Sequence, residues 1–416
     1  MKNSIYNCRV WTSDGEILLN AYTLNHIKVD SKVESLLSGD GGDNETFAML
    51  VSLGFLVPDD LDEVANVKEM FLRKRIQRDA YSLVVNTTLD CNLRCSYCYE
   101  KHVRGSRLSD DMIESIGRHL MIKHAIDKFK SLTLTLFGGE PLLDKGVVRR
   151  LLGRVAGVSQ QCGFDVAYTI VTNATLLDAE YVELFQPYRT SFQVTLDGLG
   201  GIPDGGRRGA FKRILSALQI LNNADCFSLN LRINYDAESI IEMQELLPLI
   251  DFLNRSRTSV SLCKIWQADA SEISKKDLLN AINMFNSHGF IVSSFLPAIT
   301  YQHCYADNYS EAVINYDGNV YKCTARDFTE ANSCGRMTEY GFINWKSDKV
   351  LERLALEFPK CCDGCKIMPF CPGHCSQEVI EARREGRELS CSRTRMFSAD
   401  ELIEIGFKQI LLRQNV

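Results

Sequence analysis

Three cysteines stand together as Cys91-Asn-Leu-Arg-Cys95-Ser-Tyr-Cys98, a C-x3-C-x2-C spacing. Thiols this close suggest metal ligation, yet three fall one short of the four that close a [4Fe–4S] cube. Such a cluster keeps one iron open to a ligand from outside the protein. A zinc site or buried thiols is the plainer alternative for the same residues. A second array lies toward the C-terminus: Cys304, Gly318 after 13 residues, Cys323 after four more, then Cys362-x2-Cys365-x5-Cys371-x3-Cys375, and Cys391. Iron–sulfur clusters or independent zinc ribbons are the two chemistries that suit it. Between the arrays come polar residues with binding potential. Gly138-Gly139-Glu140-Pro141 joins glycines that admit close backbone approach to a carboxylate that can accept from an ammonium. Thr172-Asn173, Thr195-Leu-Asp197-Gly198, Arg232, Asn234 and Arg213 offer further hydroxyl, amide and guanidinium groups. Each also has a plain structural reading: a turn with a solvated acid for GGEP, a cap for Asn173 or Thr195, a solvated helix residue for Arg213.

These residues need elements to carry them. From residue 81 onward β-rich runs alternate with amphipathic helical runs. Strands are expected over 81–88, 131–137, 166–172, 191–196, 227–234 and 259–266, and helices over 111–126, 147–158, 211–221 and 240–253. Six strands with helical crossovers imply a parallel sheet, curved or partly closed, whose site lies at the strand C-terminal ends, where the motifs fall. Before it, residues 6–30 alternate and turn at Ser13-Asp14-Gly15, and short helices are expected over 32–37 and 44–53. A helix around 62–75 links this small module to the sheet, and Phe47, Leu50, Leu53, Phe55 and Leu56 are expected to form its core. After residue 297 the rhythm stops and turn-rich, cysteine-rich sequence follows, read as a separate metal-stabilised domain.

Composition narrows the function classes. The chain has 416 residues, 45% hydrophobic and 24% charged, with a net charge of −6, so neither a disordered chain nor a basic nucleic-acid surface is indicated. Sixteen cysteines without an N-terminal apolar signal region point to reduced thiols and a cytoplasmic protein. No apolar run approaches the ~18 residues of a membrane span, and no polybasic amphipathic stretch suggests a surface anchor. Cys8, Cys162 and Cys226 have no ligand-like spacing and read as small buried residues.

The first motif resembles that of the radical S-adenosylmethionine (radical SAM) superfamily, which has C-x3-C-x2-C with an aromatic residue before the last cysteine, here Tyr97. The resemblance implies that Cys91, Cys95 and Cys98 hold a [4Fe–4S] cluster whose open iron chelates S-adenosylmethionine (AdoMet). One electron then cleaves the S–C5′ bond to give a 5′-deoxyadenosyl radical. Gly138-Gly139-Glu140 looks like the family's GGE motif, which contacts the methionyl amino group. Thr172, Asn173, Thr195, Arg213, Arg232 and Asn234 resemble positions holding the ribose and carboxylate. One departure follows Asp197-Gly198: many relatives carry His-Asp and then Arg, and this chain has Pro203-Asp204-Gly205-Gly206-Arg207.

The C-terminal array reproduces the seven-cysteine SPASM pattern in every interval. That implies two auxiliary [4Fe–4S] clusters, three in all: Cys304, Cys323 and Cys375 on the first, and Cys362, Cys365, Cys371 and Cys391 on the second. The first set lacks a fourth ligand, which Cys263, Cys334 or Cys361 supplies unless the cluster keeps an open iron able to bind a substrate thiolate. The expected fold is therefore α/β: a small α+β, winged-helix-like module over 1–78, a partial (β/α)6 radical SAM barrel over 79–296, and a SPASM domain over 297–416. The first module resembles the recognition element of ribosomal-peptide maturases, which binds a leader peptide by strand addition; a plain structural extension is the alternative. The implied function is radical modification of a ribosomally made precursor peptide, forming a thioether or C–C crosslink. A flavodoxin- or ferredoxin-type electron donor is the expected partner, with neither nucleic acid nor membrane. Two other readings stand beside it: a sulfatase-maturase-like oxidation of a protein Cys or Ser, and a zinc-stabilised binding scaffold.

Overall fold

The structure is a computed structural model that describes residues 1–416 except 13–14, 198–209, 266–272, 294–303, 372, 390, 392–396 and 415–416, and over 408–414 the backbone alone. It divides into two compact units, residues 76–294 with 305–354, and residues 1–75 with 295–304 and 355–416.

The larger unit is built on a sheet of eleven strands. Six come in sequence order and run parallel: Ala80–Thr88, Ser131–Gly138, Asp165–Thr172, Thr190–Thr195, Ser228–Tyr235 and Thr258–Lys264. These are the six expected strands, shifted by two residues or fewer. Helices Asp110–Asp127, Lys145–Cys162, Ala179–Phe185 and Phe211–Ala224 form crossovers between them. Their starts are written locally: the side chains of Ser109, Asp144 and Asp178 each accept from a backbone N–H two or three residues into the helix. The run over 240–253, expected as one helix, is broken into Ser239–Glu242, a 3-10 turn Met243–Leu246, and Leu247–Ile250. Pro248 accounts for the break, because it has no N–H to donate and its ring crowds the carbonyl four residues back.

Alternation along the strands sorts the two faces of this sheet. Leu134, Leu136, Ile170, Val194, Leu231, Ile233 and Leu262 are buried on one, as expected where crossover helices cover parallel strands. The other face is polar. On it Asn230 Nδ2 donates to both Ser259 and Ser261 Oγ at 2.9 Å, and Ser261 and Ser293 share a 2.7 Å hydrogen bond.

The sheet does not end at residue 296, where a domain boundary was expected. Ile291–Ser293 extends one edge, and Glu311–Ile314 pairs parallel with the first strand at the other, followed by antiparallel Asn319–Tyr321, Gly335–Met337 and Ile343–Trp345. Glu311 to Ile314 are all buried, but strands of three or four residues are too short for an alternation to show among turn residues.

The smaller unit joins the two ends of the chain, which had been expected as separate domains. Strands Asn7–Thr12, Gly15–Asn20 and His26–Lys28 form an antiparallel sheet, and Lys2–Asn3 pairs with Leu56–Val57. Helices Ser31–Ser38 and Asn44–Ser52 start at Asp30 and Asp43 caps. Leu18, Val33, Leu50, Phe55 and Leu56 make its core, while Phe47, expected there, is 39% exposed. Helix Glu63–Arg75 is not a free linker. Phe71 packs on Phe358 with ring centroids 5.2 Å apart, Arg75 donates to the Leu356 carbonyl, and Lys68 pairs with Asp363 at 2.7 Å.

Candidate functional site

The loop after the first strand carries Cys91, Cys95 and Cys98, all half-buried. It is held at both ends. Leu108 N donates to Thr87 O at 2.8 Å and Val103 N to Leu89 O at 3.1 Å, while Asp90 accepts from Cys91 N and Gly105 N, each at 2.9 Å. Cys98 N bonds Cys95 O at 3.1 Å, tightening the C-x2-C turn.

The GGE residues pack directly against this loop. Gly139 N donates to Thr88 O at 3.0 Å and Glu140 N to Asp90 O at 2.9 Å. A Cβ at Gly138 would lie 2.1 Å from Thr88 O and one at Gly139 2.1 Å from Asp90 O, so neither position admits a side chain. Gly138 also has a φ of +114°. Glu140 is fully buried. Its Oε1 accepts from Leu142 N at 3.0 Å and Thr172 Oγ1 at 2.7 Å, and its Oε2 from Asn173 N at 2.8 Å. Asn173 Nδ2 in turn reaches Asn92 Oδ1 at 3.0 Å and lies 3.8 Å from Cys91 Sγ. One carboxylate thus ties the ends of the second and third strands together and, through Asn173, to the cysteine loop.

A second network joins the same loop to the fourth and fifth strands. Tyr97 Oη donates to Asp197 Oδ2, Asn234 Nδ2 bonds Asp197 Oδ1 at 3.1 Å, and Arg232 Nε donates to Asn234 Oδ1 at 3.1 Å. Thr195 is the register partner of Arg232. Arg213 is exposed on the first turn of Phe211–Ala224 and makes no hydrogen bond to this group among the described residues. The expected departure at 203–207 lies outside the described residues. Sequence reasoning missed the Tyr97–Asp197 link and the place of Cys263. That thiol is opposite Asn234 in the parallel ladder, on the polar face, with Arg232 and Asp197 acting on it electrostatically. Strand alternation from Asn230 and Ser259 would have found it.

Burial, with Glu140 and the other two thiols nearby, pushes the Cys91 thiol up to about 11. Ligation needs the thiolate, so metal binding there would release this proton, and the fit to a cluster rests on three thiols carried by one loop. Two residues after Cys98, burial and Asp327 push the Glu100 carboxyl up to about 8, and among the described residues neither of its oxygens has a hydrogen-bond partner.

The second array divides between the units. Cys323 belongs to the larger unit and Cys304 and Cys375 to the smaller. Cys362, Cys365, Cys371 and Cys391 line one cavity of the smaller unit, together with Cys361 and His374. Burial and the neighbouring Cys361 and Cys371 thiols push the Cys362 thiol up strongly. Among the described residues no three His, Cys, Asp or Glu side chains converge on a point where one ion could sit. A cubane asks for a different arrangement, since each thiolate meets its own iron at a corner and the sulfurs surround a space. Four cysteines around one cavity fit that demand. Of the other ligand candidates, Cys334 is buried with its Sγ 3.8 Å from Asn332 O, and Cys361 Sγ lies 3.6 Å from His374 Nε2.

Residues 85–248 match the model of the Radical SAM superfamily. Over 149 residues the chain is 26% identical to a cysteine-type anaerobic sulfatase-maturating enzyme of Clostridium novyi, covering 34% of this chain and 40% of that protein. The chain spans about two fifths of the length of three of the relatives it matches, 41%, 40% and 38%. Its fold is that of Streptococcus suis SuiB bound to precursor peptide SuiA, with a TM-score of 0.54 at 14% identity over 91% of this chain and 96% of that one. Native anSMEcpe with bound AdoMet and Kp18Cys peptide gives 0.60 at 16% identity over 81% and 100%. No helix among the described residues is long and apolar enough to cross a membrane.

Proposed function

From the match of residues 85–248 to the Radical SAM superfamily we propose that this chain carries a radical SAM domain and cleaves AdoMet reductively to modify a ribosomally made precursor peptide, forming a crosslink such as a thioether or C–C bond. The observation that carries this reading is the cysteine loop, tied by Gly138, Gly139, Glu140 and Asn173 to strand ends inside the matched residues. Cys91, Cys95 and Cys98 would hold a [4Fe–4S] cluster there. With AdoMet bound, that cluster would supply one-electron radical chemistry able to act on an unactivated C–H bond. The protein's part is to bind, orient and shield. Glu140 holds the strand ends in place, and the Tyr97–Asp197–Asn234–Arg232 network presents a guanidinium and amides for anionic and polar groups of cofactor or substrate. Hydroxyls and amides of the polar sheet face provide neutral hydrogen-bonding partners for a peptide backbone.

In the same reading Cys362, Cys365, Cys371 and Cys391 hold one auxiliary [4Fe–4S] cluster and Cys304, Cys323 and Cys375 another, as in a SPASM domain, and residues 1–78 bind a leader peptide. Precursor peptide SuiA in the structure of a SuiB whose fold accounts for 91% of this chain supports a peptide substrate. A sulfatase-maturase-like oxidation is the second reading, favoured by the identity to the Clostridium novyi enzyme. Anaerobic reconstitution followed by dithionite, AdoMet and chromatography for 5′-deoxyadenosine tests the radical chemistry. About twelve iron per chain is expected for three cubanes; zinc without iron, and no cleavage, refutes the proposal. Leader-peptide binding to the full chain, read by fluorescence anisotropy, separates the two enzyme readings.

A further inference from the structure

The cavity of the smaller unit is lined by one thiol more than a [4Fe–4S] cubane has irons. Cys361, Cys362, Cys365, Cys371 and Cys391 line it, and His374 is the one imidazole beside them among the described residues. Cys361 is the exposed member, where Cys362 and Cys371 are 8% and 6% exposed. It acts electrostatically on both Cys362 and Cys365, and Cys365 feels Cys391 as well. Cys361 and Cys391 therefore approach the same neighbouring thiol. The His374 side chain is 2% exposed, with Nε2 3.6 Å from Cys361 Sγ, Nδ1 without a hydrogen-bond partner, and the nearest acid, Glu378, 4.0 Å away. A buried imidazole whose one hydrogen bond among the described residues goes to a surplus thiol holds that thiol at the cavity rim.

Resting on the auxiliary-cluster reading above, we infer that Cys361 is a reserve ligand of the second auxiliary cluster, held ready by His374, able to replace Cys391, and not the fourth ligand of the first. Cys362, Cys365 and Cys371 come from one short segment of ten residues, whereas Cys391 arrives from 20 residues further on. Cys391 is thus the ligand of the four least constrained by its neighbours in sequence. With Cys361 in its place the cluster keeps four thiolates, and no iron is lost.

The test is anaerobic reconstitution of the full chain as wild type, Cys361→Ala, Cys391→Ala and the double variant, reading iron and sulfide per chain and the EPR spectrum of the reduced protein. Both single variants are expected to keep wild-type iron, with the auxiliary EPR signal changed in Cys391→Ala alone, and the double variant to lose about four iron. Loss of the same iron from Cys391→Ala as from the double variant overturns the inference, and so does loss from Cys361→Ala alone. Should the double variant fold poorly, His374→Ala in the Cys391→Ala background gives a second reading. It is expected to shift the EPR signal again, and an unchanged spectrum overturns the role of His374. A wild type that takes up iron for one cluster only refutes the auxiliary-cluster reading instead.

Discussion

Gly139→Ala separates the geometry of the cysteine loop from its ligand chemistry. The added Cβ would lie 2.1 Å from Asp90 O and 2.6 Å from Asp90 C, both backbone atoms with no rotamer to yield. Relieving that contact requires the strand end and the loop to part by roughly 1 Å, at a stability cost of about 1–3 kcal/mol. The hydrogen bonds from Gly139 N to Thr88 O and Glu140 N to Asp90 O, at 3.0 and 2.9 Å, stretch with it. All three cysteines remain on one continuous loop, so iron uptake should persist. A ~1 Å misplacement of reacting groups costs on the order of 100-fold in rate, and the variant should form 5′-deoxyadenosine about that much more slowly. Gly153→Ala is the control. Gly153 sits in helix Lys145–Cys162 with nothing within 4 Å of its Cβ position, and alanine there should stabilise by about 0.5–1 kcal/mol with activity unchanged. Single-turnover assays on reconstituted, iron-matched samples make the comparison. A Gly139→Ala protein that cleaves AdoMet at the wild-type rate would refute the claim that this packing sets the geometry.

Cys95→Ala should abolish 5′-deoxyadenosine formation, since two thiolates do not hold the reactive cluster; normal production by that variant would defeat the assignment. Cys365→Ala should lower iron by about four atoms per chain and lower the melting temperature of the smaller unit, measured by iron assay and calorimetry. Burial holds the His119 imidazole down to about 4, between Tyr81 Oη at 2.8 Å and the Gly341 carbonyl at 3.0 Å. Its folded value lies below the unfolded one, so its contribution is complete above pH 6.5 and is lost as pH falls toward 4, amounting to about 2 kcal/mol by pH 5. Denaturant titrations at pH 7 and pH 5 should show this difference in wild type and a smaller one in His119→Gln; equal pH dependence in the two counts against it.

Strands of the larger unit are legible as β-rich runs, and helices Asp110–Asp127 and Lys145–Cys162 because apolar spacing follows the Ser109 and Asp144 start signals, whereas the seven residues of Ala179–Phe185 are too few for a helical period to show despite the Asp178 cap. Helix 240–253 was misread because apolar spacing outvoted a single proline. Glu311–Ile314 was lost because four buried residues have no readable period. In the site, motif spacing located the cysteine loop and GGE, but not what holds them. That Glu140 serves three donors, or that Tyr97 reaches Asp197, depends on residues a hundred positions apart in the second case and on a strand end in the first. Arg213 illustrates the reverse: a plausible residue type on a plausible helix, which the fold leaves exposed.

The union of the two chain ends in one unit has a consequence for how the protein is made. Arg75 and Leu356 are 281 residues apart. At about 5–20 residues per second of synthesis, helix Glu63–Arg75 waits about 15–55 seconds for the surface that covers Phe71. The sheet of the larger unit can begin to form first, while the ends close late and Cys391 emerges last among the thiols. Closure of the smaller unit therefore waits for synthesis beyond residue 355, and a ribosome that stops before it leaves residues 63–75 with an apolar helix face bare and a ready target for chaperones or proteolysis.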